Sequence, residues 1–246
     1  MTMVRTVEGG GLRGLLGRPF YLLMALLIAT VVVYGFSHTI VDNLIRPIHP
    51  SAARPTILYV HGAVFSGWLA LFLLQASLVW SRNTAVHKRV GLAGLVLASA
   101  VPVVGIATVL AMARFRIAHG SPAAEILSFL PIPLNDIIVF STCVVLAAAW
   151  RRWPEYHRRL MLVATCALTS AGFGRFPIPV FSDYLFYAGV DALILIAMAR
   201  DWIVMRRVHA VYLWALPPMV ALQSVAIGIF LTRPAWWMPI ARALMQ

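Results

Sequence analysis

Two groups of residues in this 246-residue chain have the types and spacing to do chemistry. The first is a set of histidines beside basic residues. Trp80 and His87, Trp150 and His157, and Trp202 and His209 share the spacing Trp-x6-His. The first two histidines also open matched tetrapeptides, His87-Lys88-Arg89-Val90 and His157-Arg158-Arg159-Leu160. Three imidazoles at one level can bind a transition metal, and two on opposite helices can clamp a haem iron. The neighbouring arginines oppose a further cation, so the same residues also suit anionic lipid headgroups at helix starts. For His209, whose arginines precede it at Arg206 and Arg207, the headgroup reading is the stronger.

The second group is His61, Asp136, Arg175 and Asp191, each set in an apolar run. Ionisable groups inside a membrane are costly, and each is therefore a candidate site. A helix rises 1.5 Å per residue, which puts Asp136 about 21 Å above Trp150 and Asp191 about 17 Å above Trp202. Arg175 lies about 24 Å along from Arg159, and His61 about 28 Å from Trp80. All four share the outer half of the bundle. Pro131-Ile132-Pro133 and Gly172-Phe173-Gly174 interrupt the helices there. Broken helices beside buried charges are found where protein or a cavity satisfies the freed backbone. One reading is an outward-facing polar pocket, with Arg175 facing Asp136 or Asp191 and His61 at the rim. The other is an Arg–Asp pair that only pins two helices together.

These residues need a membrane scaffold to position them. Hydrophobic residues make up 61% of the chain and charged ones 11%, with mean hydropathy +0.87. A soluble domain carries about 25% charged residues, so this composition cannot cover a water-facing surface. Seven stretches are long and apolar enough to span, at roughly 19–40, 56–80, 90–112, 126–150, 160–181, 184–205 and 211–232. The first is too long for a signal peptide and lacks an Ala-x-Ala-like site after it. Thirteen of the 20 cations fall on the side of the N-terminus and seven on the other, which orients the chain N-in and C-out. The expected fold is an all-α bundle of seven transmembrane helices, with helices 2–3, 4–5 and 6–7 as repeated hairpins. Residues 1–18 form a cytoplasmic segment, 19–232 the transmembrane domain and 233–246 a short periplasmic tail. The net charge of +12 is explained by orientation rather than by nucleic acid, since no basic run is interleaved with aromatics.

Cys143 and Cys166 sit in apolar runs and read as small buried hydrophobes, near neighbours on adjacent helices. Gln75 reads as a polar residue satisfied across helices. There is no phosphate-binding Gly-rich loop, Gly-x-Ser-x-Gly, His-Glu-x-x-His or Cys-x-x-Cys.

The run Tyr59-Val60-His61, then Gln75, then His87-Lys88-Arg89-Val90-Gly91 resembles an uncharacterised bacterial multi-span inner-membrane family. Hairpins of that family carry a His, a Gln fourteen residues on, and His-x-Arg-x-Gly at the next helix. His157-Arg158-Arg159-Leu160-Met161, Arg175, Asp191 and Thr232-Arg233-Pro234-Ala235-Trp236 extend the likeness over most of the chain. The paired histidines joined by short basic loops are also similar to transmembrane cytochromes b of the ascorbate-dependent and ferric-reductase kind. That likeness matches His61 and His87 to a first hairpin and His157 to a second, and implies haem b and electron transfer. In those proteins each haem lies between two histidines at similar depth, so a haem between His87 and His157 requires both rings to turn inward.

Three expectations follow for this inner-membrane protein. It is a redox protein binding haem b or quinone through His87 and His157, with Arg175 serving a propionate or quinone oxygen. Alternatively it is a transporter or small-molecule binding protein using His61, Asp136, Arg175 and Asp191. The third is a non-catalytic subunit or assembly factor among other membrane subunits. Its surroundings in each case are the lipid bilayer, with anionic headgroups at the cytoplasmic loops.

Overall fold

A computed structural model describes residues 12–40, 54–178 and 185–246. These residues are all-α, with no strand among them. In chain order the helices are α1 (Leu12–Leu15), α2 (Phe20–Ile40), α3 (Thr56–Trp80), α4 (Thr84–Ala118), α5 (Ala123–Phe129), α6 (Pro131–Ala149), α7 (Pro154–Ala167), α8 (Ser170–Phe173), α9 (Phe186–Met205), α10 (Ala210–Thr232) and α11 (Trp237–Leu244). Five stretches are long and apolar enough to cross a membrane: Phe20–Thr39, Thr56–Trp80, Thr84–Ala118, Ala123–Ala149 and Ala210–Thr232. The exposed side chains along them suit lipid and not water. Leu92, Val96 and Val103 stand 71%, 75% and 68% exposed along α4, an apolar stripe that a soluble protein would bury.

The local breaks have local causes. Pro131 has no N–H to give the Leu127 carbonyl four residues earlier, so α5 and α6 part at Leu130. The freed carbonyl accepts from the indole Nε1 of Trp237 at 2.9 Å, which docks α11 on α5. The C-terminal stretch is thus an ordered helix, secured also by Arg114, whose Nε and Nη2 donate to the Met245 carbonyl. At the cation-rich end, Asn83 caps α4 through its side chain, and helical residues begin at Thr84 instead of 90.

The expected fifth span, 160–181, is not one continuous helix. α7 ends at Ala167, where the Thr169 hydroxyl donates to the Cys166 carbonyl at 2.6 Å and competes with the helix ladder. The short α8 follows, and residues 179–181 lie outside the described ones. A helix, α9, covers the expected sixth span; it is 20 residues long but carries Asp191, Arg200 and Asp201, and it is not among the five stretches apolar enough to cross.

Packing follows hairpins where the loops are short: α3 lies along α4 and α6 along α7. The third expected hairpin is looser, and α10 packs more extensively on α6 than on α9. The core runs through Phe20, Met24, Ile28, Phe140, Leu160 and Ile194. At the opposite end from the basic loops, α2 meets α8 backbone to backbone. A Cβ on Gly35 would lie 2.2 Å from the Gly172 carbonyl oxygen, so only glycine permits that approach.

Candidate functional site

The cation-rich loops meet at one end of the bundle. Asn83 fixes the first turn of α4, and Pro154, whose absent N–H is no loss at a helix start, fixes that of α7. The Trp-x6-His spacing therefore delivers His87 and His157 as the fourth residue of each helix. Their rings stand 6.4 Å apart, centre to centre, with planes at 84°. His157 Nδ1 donates to the Ala147 carbonyl at 2.9 Å, which leaves Nε2 of the neutral ring free to accept or ligate. His87 Nδ1 is buried with no hydrogen-bond partner. The third copy of the spacing does not join them. His209 is the N-cap of α10, its Nδ1 accepting from the Val211 N–H at 3.3 Å, and its ring stands edge-on to Tyr156. Among the described residues no three His, Cys, Asp or Glu side chains gather to hold a metal ion.

Behind this pair lies an ionic network that the sequence reading placed among loop cations. Arg159 and Asp201 have fully buried side chains. The guanidinium grips the carboxylate at two points, Nε to Oδ2 at 2.7 Å and Nη2 to Oδ1 at 2.8 Å. Its Nη1 donates to the Glu155 carbonyl at 2.8 Å and to Glu155 Oε2 at 2.6 Å. Arg200 adds Nη1 to Asp201 Oδ1 at 3.0 Å and donates from Nε to the Leu16 carbonyl, tying in the segment that follows α1. Arg158 lies over the Tyr21 ring, and Arg18 donates to the Trp80 carbonyl. Partial burial works to raise the Glu155 carboxyl, but the donors and charges of Arg159 and Arg158 prevail and hold it below the usual carboxylate range. The available signal was Glu155 four residues before Arg159, and Asp201 as one of only eight acids in the chain.

Toward the opposite end Asp136 and Asp191 take separate partners, while Arg175 lies within electrostatic reach of His61. Asp136 is 8% exposed and is held by neutral donors. Ser170 donates to Oδ2, while Tyr187 donates to Oδ1 at 2.9 Å and Asn135 Nδ2 reaches Oδ1 at 3.5 Å. Asp191, one turn beyond Tyr187, instead accepts from Gln223 Nε2 at 3.1 Å on α10. The expected Arg175–Asp ion pair is not formed. α7 breaks before Arg175, whose Nη1 donates back to the Ala171 carbonyl at 2.5 Å while the guanidinium lies 4.3 Å from the Phe36 ring centre. His61 stacks on Phe65 at 4.0 Å, with its Nδ1 buried and unpartnered. The structure thus brings Asp136 to Ser170 and Tyr187, which the sequence reading did not name, and leaves His61 and Arg175 apart from it.

Cys143 and Cys166 are buried free thiols. Gln75 is not fully satisfied: its Oε1 is buried without a partner, and its Nε2 faces Gly91. A cleft of about 150 Å³ between α6, α7 and α10, lined by Val139, Cys143, Val163, Trp214 and Met219, is apolar and holds none of the candidate residues. Comparison with protein families, with curated proteins and with solved structures finds no match to this chain.

Proposed function

We propose that this chain is a multi-pass redox protein of a bacterial-type inner membrane, in which His87 and His157 together hold haem b. The single observation that carries this reading is their pairing, with ring centres 6.4 Å apart. Two imidazoles that ligate one iron from opposite faces stand roughly 6 Å apart, centre to centre, for metal–nitrogen bonds of about 2 Å. The anchored Nδ1 of His157 adds support, because ligating histidines usually hold their other nitrogen in such a bond. When bound, the haem would supply one-electron chemistry. The protein's own part is to orient the two rings through the Asn83-capped first turn of α4 and the Pro154-led first turn of α7, the latter held by the Arg159–Glu155 and Arg159–Asp201 contacts.

The test is a visible spectrum of detergent-purified protein made with haem supplied, before and after dithionite. The expected result is a Soret band that shifts and α and β bands that sharpen, all lost in His87→Ala or His157→Ala. A featureless spectrum from folded protein refutes the reading.

We read the topology as seven crossings, with α7–α8 and α9 as the fifth and sixth and the N-terminus inside. The cation bias supports this. So do the contacts of Arg18 with Trp80, Arg200 with Leu16 and Tyr156 with His209, which gather the basic loops at one end. A C-terminal reporter is then active only on the periplasmic side, and cytoplasmic activity would remove one crossing. Anionic headgroups are the expected neighbours of Lys88 and Arg89. A second reading, a small-molecule or ion-binding protein, is favoured by one observation: buried Asp136 has no cationic partner among the described residues.

A further inference from the structure

Asp136 sits where two interrupted helices and a third helix converge. α6 supplies Asn135 and Asp136 just beyond the break at Leu130, α8 supplies Ser170 just beyond the break after Ala167, and α9 supplies Tyr187. All four residues are more than nine-tenths buried. Every group that converges there can offer oxygen: the Asp136 carboxylate, the Asn135 carbonyl, the Ser170 and Tyr187 hydroxyls, and the Ile132 backbone carbonyl, which Tyr187 touches at 3.2 Å. One of these oxygens has nothing to bind. Asn135 Oδ1 is buried without a hydrogen-bond partner, although its own Nδ2 is engaged with Tyr187 at 3.2 Å. A buried acceptor left unsatisfied is costly and calls for an explanation.

We propose that Asn135, Asp136, Ser170, Tyr187 and the Ile132 carbonyl form a binding site for Na⁺. Charge selects the valence. The site contains one carboxylate and no basic side chain contacts it, so a monovalent cation leaves it neutral, whereas a divalent ion would strand a net positive charge away from water. Donor type excludes soft and borderline metals, since no nitrogen or sulfur ligand is present. Spacing selects the size. Oxygens bound at about 2.4 Å around one ion stand roughly 3.4 Å apart at right angles. The Tyr187 hydroxyl already lies 2.9 Å from Asp136 Oδ1 and 3.2 Å from the Ile132 carbonyl, so small outward movements make the shell, while the larger K⁺ requires wider ones. An ion among these oxygens would offer a partner to Asn135 Oδ1, which has none, and the Ser170 and Tyr187 hydroxyls can ligate through a lone pair while each still donates its proton to Asp136. Interrupted helices are a recurring setting for coupling ions in membranes. This site is independent of any cofactor at His87 and His157.

The experiment is thermal unfolding of the full-length detergent-solubilised protein at pH 8, in NaCl, KCl or choline chloride at equal ionic strength. The expected result is a saturable rise in Tm of roughly 5 °C with Na⁺ alone. Asp136→Asn is expected to abolish the rise, and Tyr187→Phe and Ser170→Ala to raise the half-saturating Na⁺ at least tenfold. If Asp136→Asn does not fold, the two milder variants carry the test. Equal Tm in the three salts overturns the proposal, and so does a Na⁺ effect that persists unchanged in the variants.

Discussion

Removing either half of the buried Arg159–Asp201 pair is expected to destabilise the whole bundle. Both side chains have no exposure, and the guanidinium also satisfies the Glu155 carbonyl and carboxylate. Breaking a buried pair by deleting one partner costs about 3–5 kcal/mol, because an uncompensated charge stays behind. Arg159→Met leaves Asp201 with Arg200 at 3.0 Å, and Asp201→Leu leaves Arg159 with Glu155 at 2.6 Å. Each single variant therefore belongs at the low end, ~3 kcal/mol, which is a fall in Tm of roughly 10 °C at this chain length. The double variant replaces the pair with apolar groups and strands less charge. It should lose less than the sum of the singles, with a coupling of about 2 kcal/mol. Thermal unfolding of the four proteins in one detergent measures this cycle. Single variants whose Tm stays within about 2 °C of the parent, or effects that simply add, would refute the argument that this pair joins α7 to α9.

Gly35→Ala places a methyl 2.2 Å from the Gly172 carbonyl, with backbone on both sides. It should cost ~1–3 kcal/mol by overpacking, read as a lower Tm, and unchanged stability would mean that α2 and α8 do not meet this closely. Burial, and then the Arg159 charge, lower the His209 imidazole from its ordinary value of 6.5. Since the folded state resists the proton more than the unfolded one, its contribution to stability is complete above pH 6.5 and is lost as pH falls below it. His209→Asn keeps an N-cap acceptor, an amide oxygen in place of the imidazole nitrogen, and should flatten the pH dependence of Tm below pH 6.5, whereas an unchanged profile would place that titration elsewhere.

Much of the scaffold was legible because it rests on local chemistry. Trp-x6-His became the fourth helical residue twice, since α4 and α7 each start four residues after the Trp, at Thr84 and Pro154. The third copy failed for an equally local reason. Arg206 adopts φ 56° and ends α9, and helical residues resume only at Ala210, so His209 became a cap. The Pro131 break was readable in the sequence, but not that Trp237, more than a hundred residues later, would take the carbonyl it frees.

Composition and apolar run length alone determined that this is an all-α chain with membrane-spanning helices, because no surface with so few charges can face water. Rise per residue gave an expected depth for each polar group, although for Arg175 the count crosses the break after Ala167. Only the tertiary structure decided which groups meet. Depth is a local quantity, counted along one helix, but the direction a side chain faces depends on how each helix is rotated and where it breaks. That is why Asp136 found Ser170 and Tyr187 instead of Arg175, and why Arg159 reached Asp201 across 42 residues of sequence.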